Sequence, residues 1–211
     1  MAQSYRVIFC YVDFVYRAPG QPSHVGVLAG TFNPVTIAHV ALARCGLARV
    51  DEVVFALPRR FPHKEYTGPG FDERAALLKA VAAGLPSLSA AYTNGGLFIE
   101  IARECRDAYG GDIRVSILCG RDAAERVVGW DYGEPGTVDK MFEEFGLMVA
   151  ARRGEYTVPH ALAHAVSRLE LDGSFDDVSA SDVRRRIAAG HAWESLVPAI
   201  IREKVRRLYT R

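Results

Sequence analysis

Ten residues early in the chain, Gly30-Thr31-Phe32-Asn33-Pro34-Val35-Thr36-Ile37-Ala38-His39, close a short apolar run and open a helical pattern. Gly30 lets the backbone turn closely, and Pro34 fixes a kink. Thr36 and His39 are three apart, so at the start of a helix they share a face. A hydroxyl and an imidazole beside a helix N-terminus, whose N–H groups and dipole favour negative charge, suit phosphate oxygens. The segment lacks the Gly-Lys-Ser/Thr of a P-loop, and it lacks the GxGxxG dinucleotide fingerprint. A capping Thr and a surface His would leave the same letters with no chemistry at all.

Four further groups share the same kind of position, just past an apolar run. Pro58 to Lys64 carries Arg59, Arg60, His63 and Lys64, cations that clamp a phosphate or form an ordinary solvated loop. Gly120-Arg121-Asp122 offers Asp122 either to a ribose hydroxyl or as the cap of the next helix. Downstream, Trp130 either stacks on a planar ring or packs in the core. Arg152 and Arg153 follow another run. Near the C-terminus Val178-Ser179-Ala180-Ser181-Asp182-Val183-Arg184 puts small hydroxyl residues before a helical stretch, a capped start suited to a polyphosphate, with Arg184 one turn in. Each signal is weak alone; all fall at strand ends.

The elements that must position these groups alternate along the chain. Val25–Ala29, Val53–Leu57, Leu88–Tyr92, Arg114–Cys119 and Leu147–Ala151 read as strands, with a weaker one over Arg168–Leu171. Helical spacing runs from Ala38 to Cys45 with Gly46 as a stop, from Phe71 to Ala83 with Asp72 as N-cap, and from Gly96 to Ala108. Two more helices are expected over Ser181–Ala189 and Pro198–Tyr209. Continuous rather than alternating apolar strands imply a parallel sheet covered on both faces. The expected fold is α/β, a doubly wound parallel sheet whose ligands bind outside the carboxyl ends of its strands. Residues 25–211 form one domain with a C-terminal helical part. Residues 1–24 are an N-terminal extension, an extra strand or a loose segment, joined through Pro19, Gly20 and Pro22.

Composition narrows the classes. The chain has 211 residues, 49% hydrophobic and 24% charged, which excludes disordered, collagen-like and disulfide-stapled chains. Lys plus Arg is 26 and Asp plus Glu is 25, so global charge supplies no argument for nucleic acid or a membrane surface. Cys10, Cys45, Cys105 and Cys119 have neither CxxC spacing nor a nearby His, so no zinc site is expected and the thiols read as reduced cytoplasmic core residues. No apolar run approaches the roughly 20 residues of a membrane span. The N-terminal apolar stretch, broken by Arg6, Asp13 and Arg17, does not read as a signal peptide.

The segment GTFNPVTIAH resembles the (H/T)xGH signature of the nucleotidylyltransferase superfamily, and VSASDVR resembles its ISSTxxR signature. The P…PHK segment Pro58–Lys64, Gly120-x-Asp122 with Trp130 downstream, and Val149–Gly154 resemble bacterial nicotinate-mononucleotide adenylyltransferases. The likeness covers about Val25 to Tyr209. It departs at Thr36, where many members have His, at Ala38 in place of Gly, at Asn33 in place of a frequent Asp, and at Ala180-Ser181 in place of Ser-Thr.

The resemblance implies a Rossmann-like nucleotidyltransferase that moves an adenylyl group from ATP to the 5′-phosphate of nicotinate mononucleotide and releases pyrophosphate, a step of NAD biosynthesis. It implies His39 and Thr36 at the ATP phosphates, and Ser179, Ser181 and Arg184 on the leaving pyrophosphate. Gly30, Thr31, Phe32, Gly120 and Asp122 complete the ATP side. Lys64 holds the acceptor phosphate, with Asn33, Tyr92, Thr93, Trp130 and Arg152 on the acceptor side. Nicotinate's carboxylate would take N–H donors from the loop near Tyr92-Thr93-Asn94 or from the backbone beside Trp130. Mg²⁺ is carried mainly on the ATP phosphates, with no protein metal site. The partners are then ATP and a pyridine mononucleotide, not nucleic acid or membrane; a homo-oligomer is compatible with them. The same chemistry on nicotinamide mononucleotide or another phosphate acceptor, and a non-catalytic nucleotide-binding regulator, are the alternatives.

Overall fold

The computed structural model describes residues 12–60, 68–129, 136–150 and 156–210. A seven-stranded sheet runs in the order β1-β4-β3-β2-β5-β6-β7. Its strands are β1 (Asp13–Tyr16), β2 (His24–Ala29), β3 (Glu52–Pro58), β4 (Leu88–Thr93), β5 (Arg114–Gly120), β6 (Gly146–Ala150) and β7 (Val166–Leu169). All neighbours are parallel except β1, the edge strand, which lies antiparallel on β4, with Asp13 opposite Tyr92. Seven α-helices are described: α1 (Ile37–Leu47), α2 (Phe71–Ala83), α3 (Phe98–Ala108), α4 (Arg121–Gly129), α5 (Thr137–Glu144), α6 (Ala180–Ala188) and α7 (Arg202–Tyr209).

Because side chains alternate across a strand, each central strand feeds two cores. Val53, Phe55 and Leu57 of β3 face one layer, together with residues of α1, α2, α6 and α7. Val54 and Ala56 face the other, together with residues of α3, α4 and α5. Every residue of β3 is buried, the physical origin of the unbroken apolar runs. β2 pairs with β3 on one side and β5 on the other, so the connections diverge there. That divergence opens a crevice outside the carboxyl ends of β2 and β5, the usual ligand position in such sheets.

Most expected elements are present, and several boundaries are corrected. Gly46 does not stop α1: it lies inside the helix, where an added Cβ would fall 2.3 Å from Leu118 Cδ2. It is a close-approach residue between helix and sheet. Asp72 is not the cap of α2; Gly70 is, and its N–H donates to Glu73 Oε2 at 2.8 Å. The last strand sits two residues earlier than its weak pattern suggested, since Leu147 and Val149 set its register against Val166 and Arg168. The C-terminal helix starts with a short 3₁₀ turn at Ala199–Ile201. Helix α5 was not anticipated, although Val138, Met141, Phe142 and Phe145 stand at helical spacing and pack on one face of the sheet.

The segment before β2 joins the sheet through a hydroxyl that serves a buried carboxylate. The Ala18 N–H donates to Ser89 Oγ at 2.8 Å, and the Ser89 hydroxyl donates to Glu52 Oε1 at 2.5 Å. The Tyr109 hydroxyl donates to the same oxygen, and burial, reinforced by that carboxylate, drives its phenol far up.

Gly46→Val should force Leu118 aside in a filled core and destabilise the protein by about 1–3 kcal/mol. A thermal melt checks this; an unchanged midpoint would mean that the α1–β5 contact is loose.

Candidate active site

The turn after β2 is held on three sides. The Gly30 N–H donates to Ala56 O of β3 at 3.1 Å, which carries the sheet one residue past the strand. Arg74, buried on α2, donates from Nη1 to Thr31 O at 2.8 Å. Phe32 takes a left-handed φ of 45° and buries its ring against Phe55 at 5.3 Å and edge-on to His39 at 5.2 Å. Arg74 is a contributor that sequence reasoning missed, because a helical Arg carries no sign that it reaches back to another element's carbonyl.

Thr36 and His39 form a reciprocal cap on α1. The Thr36 N–H donates to His39 Nδ1 at 2.9 Å, and the His39 N–H donates to Thr36 Oγ1 at 3.4 Å. Thr36 Oγ1 also lies 2.9 Å from Nδ1. Nδ1 therefore acts as an acceptor, and the neutral ring carries its proton on Nε2. The cap presents the imidazole with a defined donor, the property needed beside a phosphate that gains charge in a transition state.

Two C-terminal segments converge on the same turn. Arg184 of α6 donates from Nη1 to Asn33 O at 2.6 Å and from Nη2 to Ser181 Oγ at 3.2 Å. The Tyr209 hydroxyl of α7 donates to Asn33 Oδ1 at 2.6 Å. Residues 33, 184 and 209 thus meet at one point, and the first turn of α6 lies beside the turn that leads to His39. Ser179 caps α6, its Oγ accepting the Asp182 N–H at 3.1 Å. Asp182 is held below the usual carboxylate range: burial opposes this, but hydrogen bonds from Arg185 and Arg186 prevail. Across the crevice Gly120 ends β5 with open space where a Cβ would stand. Asp122 lies inside the first turn of α4, not at its cap, with its side chain 87% exposed.

These contacts revise several expected roles. Thr36 is fully buried and its hydroxyl serves the cap, so in this structure it holds the His39 ring. The Phe32 ring is core, leaving only its backbone for a nucleotide. Asn33 is 5% exposed, with its carboxamide oxygen accepting from Tyr209 and its carbonyl from Arg184, so it serves as a junction between elements. Thr93 is fully buried, and its hydroxyl donates to Gly95 O at 3.2 Å. The Ser179 hydroxyl is likewise engaged by its cap. Lys64, Trp130 and Arg152 lie outside the described residues, as do His63 and Arg153.

The loop after β4 departs most from expectation. It was one of two places expected to read a ligand carboxylate, the other being the backbone beside Trp130, outside the described residues; from Asn94 to Leu97 two internal carboxylates receive its amides. Buried Glu104 accepts Asn94 N–H at 2.8 Å and Gly95 N–H at 2.7 Å. Glu100 accepts the Gly96 and Leu97 N–H groups, both at 3.0 Å. Gly95 is required here, because a Cβ would stand 2.4 Å from Glu100 Cβ. Tyr92 remains half-buried beside the loop, with Phe71 at 4.6 Å. Burial first, then the charge of Asp72, push its phenol up, which keeps it neutral.

A model of the cytidylyltransferase-like family matches residues 27–186. A protein of Rubrobacter xylanophilus named a probable nicotinate-nucleotide adenylyltransferase is 30% identical over 207 residues, covering 85% of this chain and 87% of its own. One of the same name from Citrifermentans bemidjiense is 27% identical over 216 residues, covering 88% and 97%. The solved structure of Plasmodium falciparum nicotinic acid mononucleotide adenylyltransferase complexed with NaAD matches with a TM-score of 0.66 at 12% identity, over 88% of this chain and 95% of that one. That last likeness is one of fold.

Glu104→Gln should oppose a buried amide donor with another donor and cost about 1–3 kcal/mol, read as a lower melting temperature. Thr36→Val should remove the cap at a cost of about 0.5–2 kcal/mol. It should also slow turnover less than loss of His39 does, because it acts only through the ring it orients. Equal kinetic damage from the two variants would return Thr36 to direct contact with the phosphates.

Proposed function

Because the chain belongs to the cytidylyltransferase-like family, we propose that it is an adenylyltransferase that joins ATP to nicotinate mononucleotide and releases pyrophosphate in NAD biosynthesis. The observation that carries this reading is the convergence of His39, Arg184 and the start of α6 on the turn after the central strand β2.

The acceptor's 5′-phosphate oxygen forms a bond to the α-phosphorus of ATP. The bond from that phosphorus to the bridging oxygen breaks, and the electron pair leaves with pyrophosphate. The nucleophile is already anionic, so the reaction needs no general base. It needs two polyanions aligned and their charge offset. His39 donates from Nε2 to an oxygen of the α-phosphate, where charge develops. Arg184, Ser181 and the first N–H groups of α6 hold the β- and γ-phosphates as they leave. Gly30 and Gly120 let the nucleotide approach the backbone on both sides of the crevice, and Asp122 is exposed for a ribose hydroxyl. Lys64 takes the acceptor phosphate, and Trp130 and Arg152 the rest of the acceptor.

Among the described residues no group of three or more His, Cys, Asp or Glu side chains could cage a metal ion. The described rim offers cations and hydroxyls, a donor set that fits a Mg²⁺ carried by ATP phosphates and water. When bound, that ion neutralises phosphate charge. No helix among the described residues is long and apolar enough to cross a membrane. We assign the reaction to the cytoplasm on the widely spaced cysteines, the usual pattern of reduced thiols.

One observation favours a second acceptor. The Asn94–Leu97 amides are occupied by Glu100 and Glu104, so this loop presents no amide pair to a ring carboxylate. That arrangement suits nicotinamide mononucleotide in the same reaction.

Pyrophosphate release with ATP and either mononucleotide tests both readings. Release with nicotinate mononucleotide is expected; release only with nicotinamide mononucleotide selects the second reading. Bound ATP without release from any phosphate acceptor would instead identify a nucleotide-binding regulator. His39→Ala should lower turnover by roughly 10²–10³-fold, the scale of one lost transition-state donor. Near wild-type turnover in that variant would remove His39 from the site.

A further inference from the structure

Beside the ATP-binding crevice, the ends of β3 and β4 carry a second cationic feature that the adenylyl-transfer reading leaves unused. Arg59 follows the last residue of β3, and its N–H donates to Thr93 O at 2.8 Å, extending the β3–β4 pairing past Pro58 and Thr93. Its root is therefore as rigid as the sheet. The guanidinium lies over two packed rings, 4.9 Å from the Tyr92 centroid and 5.2 Å from that of Phe71. Such stacking fixes the plane of an arginine fork without engaging its N–H groups. Nη2 donates to Asp13 Oδ2 at 3.0 Å across to the edge strand β1, engaging one of five N–H donors. The side chain is still 43% exposed.

Arg59 is joined to the reacting turn by direct contacts. The Phe71 ring also lies under the Arg74 guanidinium, 5.7 Å from its centroid, and Arg74 holds Thr31 O. Thr31, Arg74, Phe71, Arg59 and Tyr92 thus form a continuous ridge along the carboxyl edge, on the side of β2 away from β5. Arg184 and α6 serve the triphosphate, and Gly120 of β5 its nucleoside. A second anionic substrate needs its own oriented cation, and the described edge offers one here.

We propose that Arg59, fixed by Tyr92, Phe71 and Asp13, binds an anionic oxygen of the acceptor mononucleotide and so sets acceptor affinity. This rests on the adenylyltransferase reading. The anion is either the 5′-phosphate or a ring carboxylate, both of which match a guanidinium fork. Strand β1 is then part of the site, because it supplies the carboxylate that orients the fork.

The test compares wild type with Arg59→Ala. Direct binding of nicotinate mononucleotide and of nicotinamide mononucleotide is measured by titration calorimetry, alongside melting temperature and the KM for ATP. The variant should bind nicotinate mononucleotide about tenfold or more weakly, the scale of one charge-assisted hydrogen bond. Its melting temperature and KM for ATP should stay close to wild type. Loss for nicotinate mononucleotide alone identifies the ring carboxylate as the anion; equal loss for both identifies the phosphate. Unchanged binding of both, a parallel loss of ATP affinity, or a wild type that binds neither mononucleotide would overturn the proposal. A wild type that binds acceptor through Arg59 yet releases no pyrophosphate would reject the catalytic reading and leave this one standing.

Discussion

The site depends on one junction: Asn33, where the turn after the central strand receives hydrogen bonds from Arg184 and from Tyr209. The partners come from chain segments 151 and 176 residues away, so closing this junction requires the whole sheet to be assembled. Asn33 is buried, and a buried carbonyl or carboxamide oxygen left without a donor is costly. Packing of the two C-terminal helices therefore also helps to order the turn after β2. Arg184 does two things at once. It satisfies a carbonyl of the turn, and it anchors a guanidinium beside the start of α6.

A second constraint is the double-sided core. With strands such as β3 apolar on both faces, little room is left for function except at the strand ends. The carboxyl edge gathers the turn after β2, the glycine that ends β5 and the Arg59 ridge. At the opposite, amino ends of β3 and β4, the Glu52 cluster with Ser89 and Tyr109 satisfies a buried carboxylate and joins the segment before β2 to the domain. Polar groups in this protein thus divide between those that complete the fold and those left exposed at the edge to meet ligands.

That division separates orienting groups from contacting groups within the motifs themselves. Thr36 orients, because its hydroxyl is enclosed by the cap; His39 is the ring so oriented, and in the proposed reaction it is the group that meets phosphate. Glu104 and Glu100 neutralise a row of amides that would otherwise attract an anion after β4. Among the described residues after β3 and β4, that leaves the Arg59 guanidinium as the group the proposal turns on.

The alternating order of apolar runs and helical spacings already determined a parallel doubly wound sheet, because continuous apolarity in short strands is stable only when both faces are covered. The two terminal motifs likewise marked His39 and Arg184, since their local spacing is enough to define a helix start. What tertiary structure alone decided is the use made of each polar side chain. Nothing local to Thr93 or Asn33 shows that the first is enclosed and the second is met by Tyr209. Nothing in an α2 or α3 sequence window shows that Arg74 and Glu104 reach loops of other elements. Gly46 reads as a helix stop until Leu118 is packed against it. Hydrogen-bond partners distant in sequence are set by the packing of layers, and only that packing distinguishes a group that holds the site from one that meets the substrate.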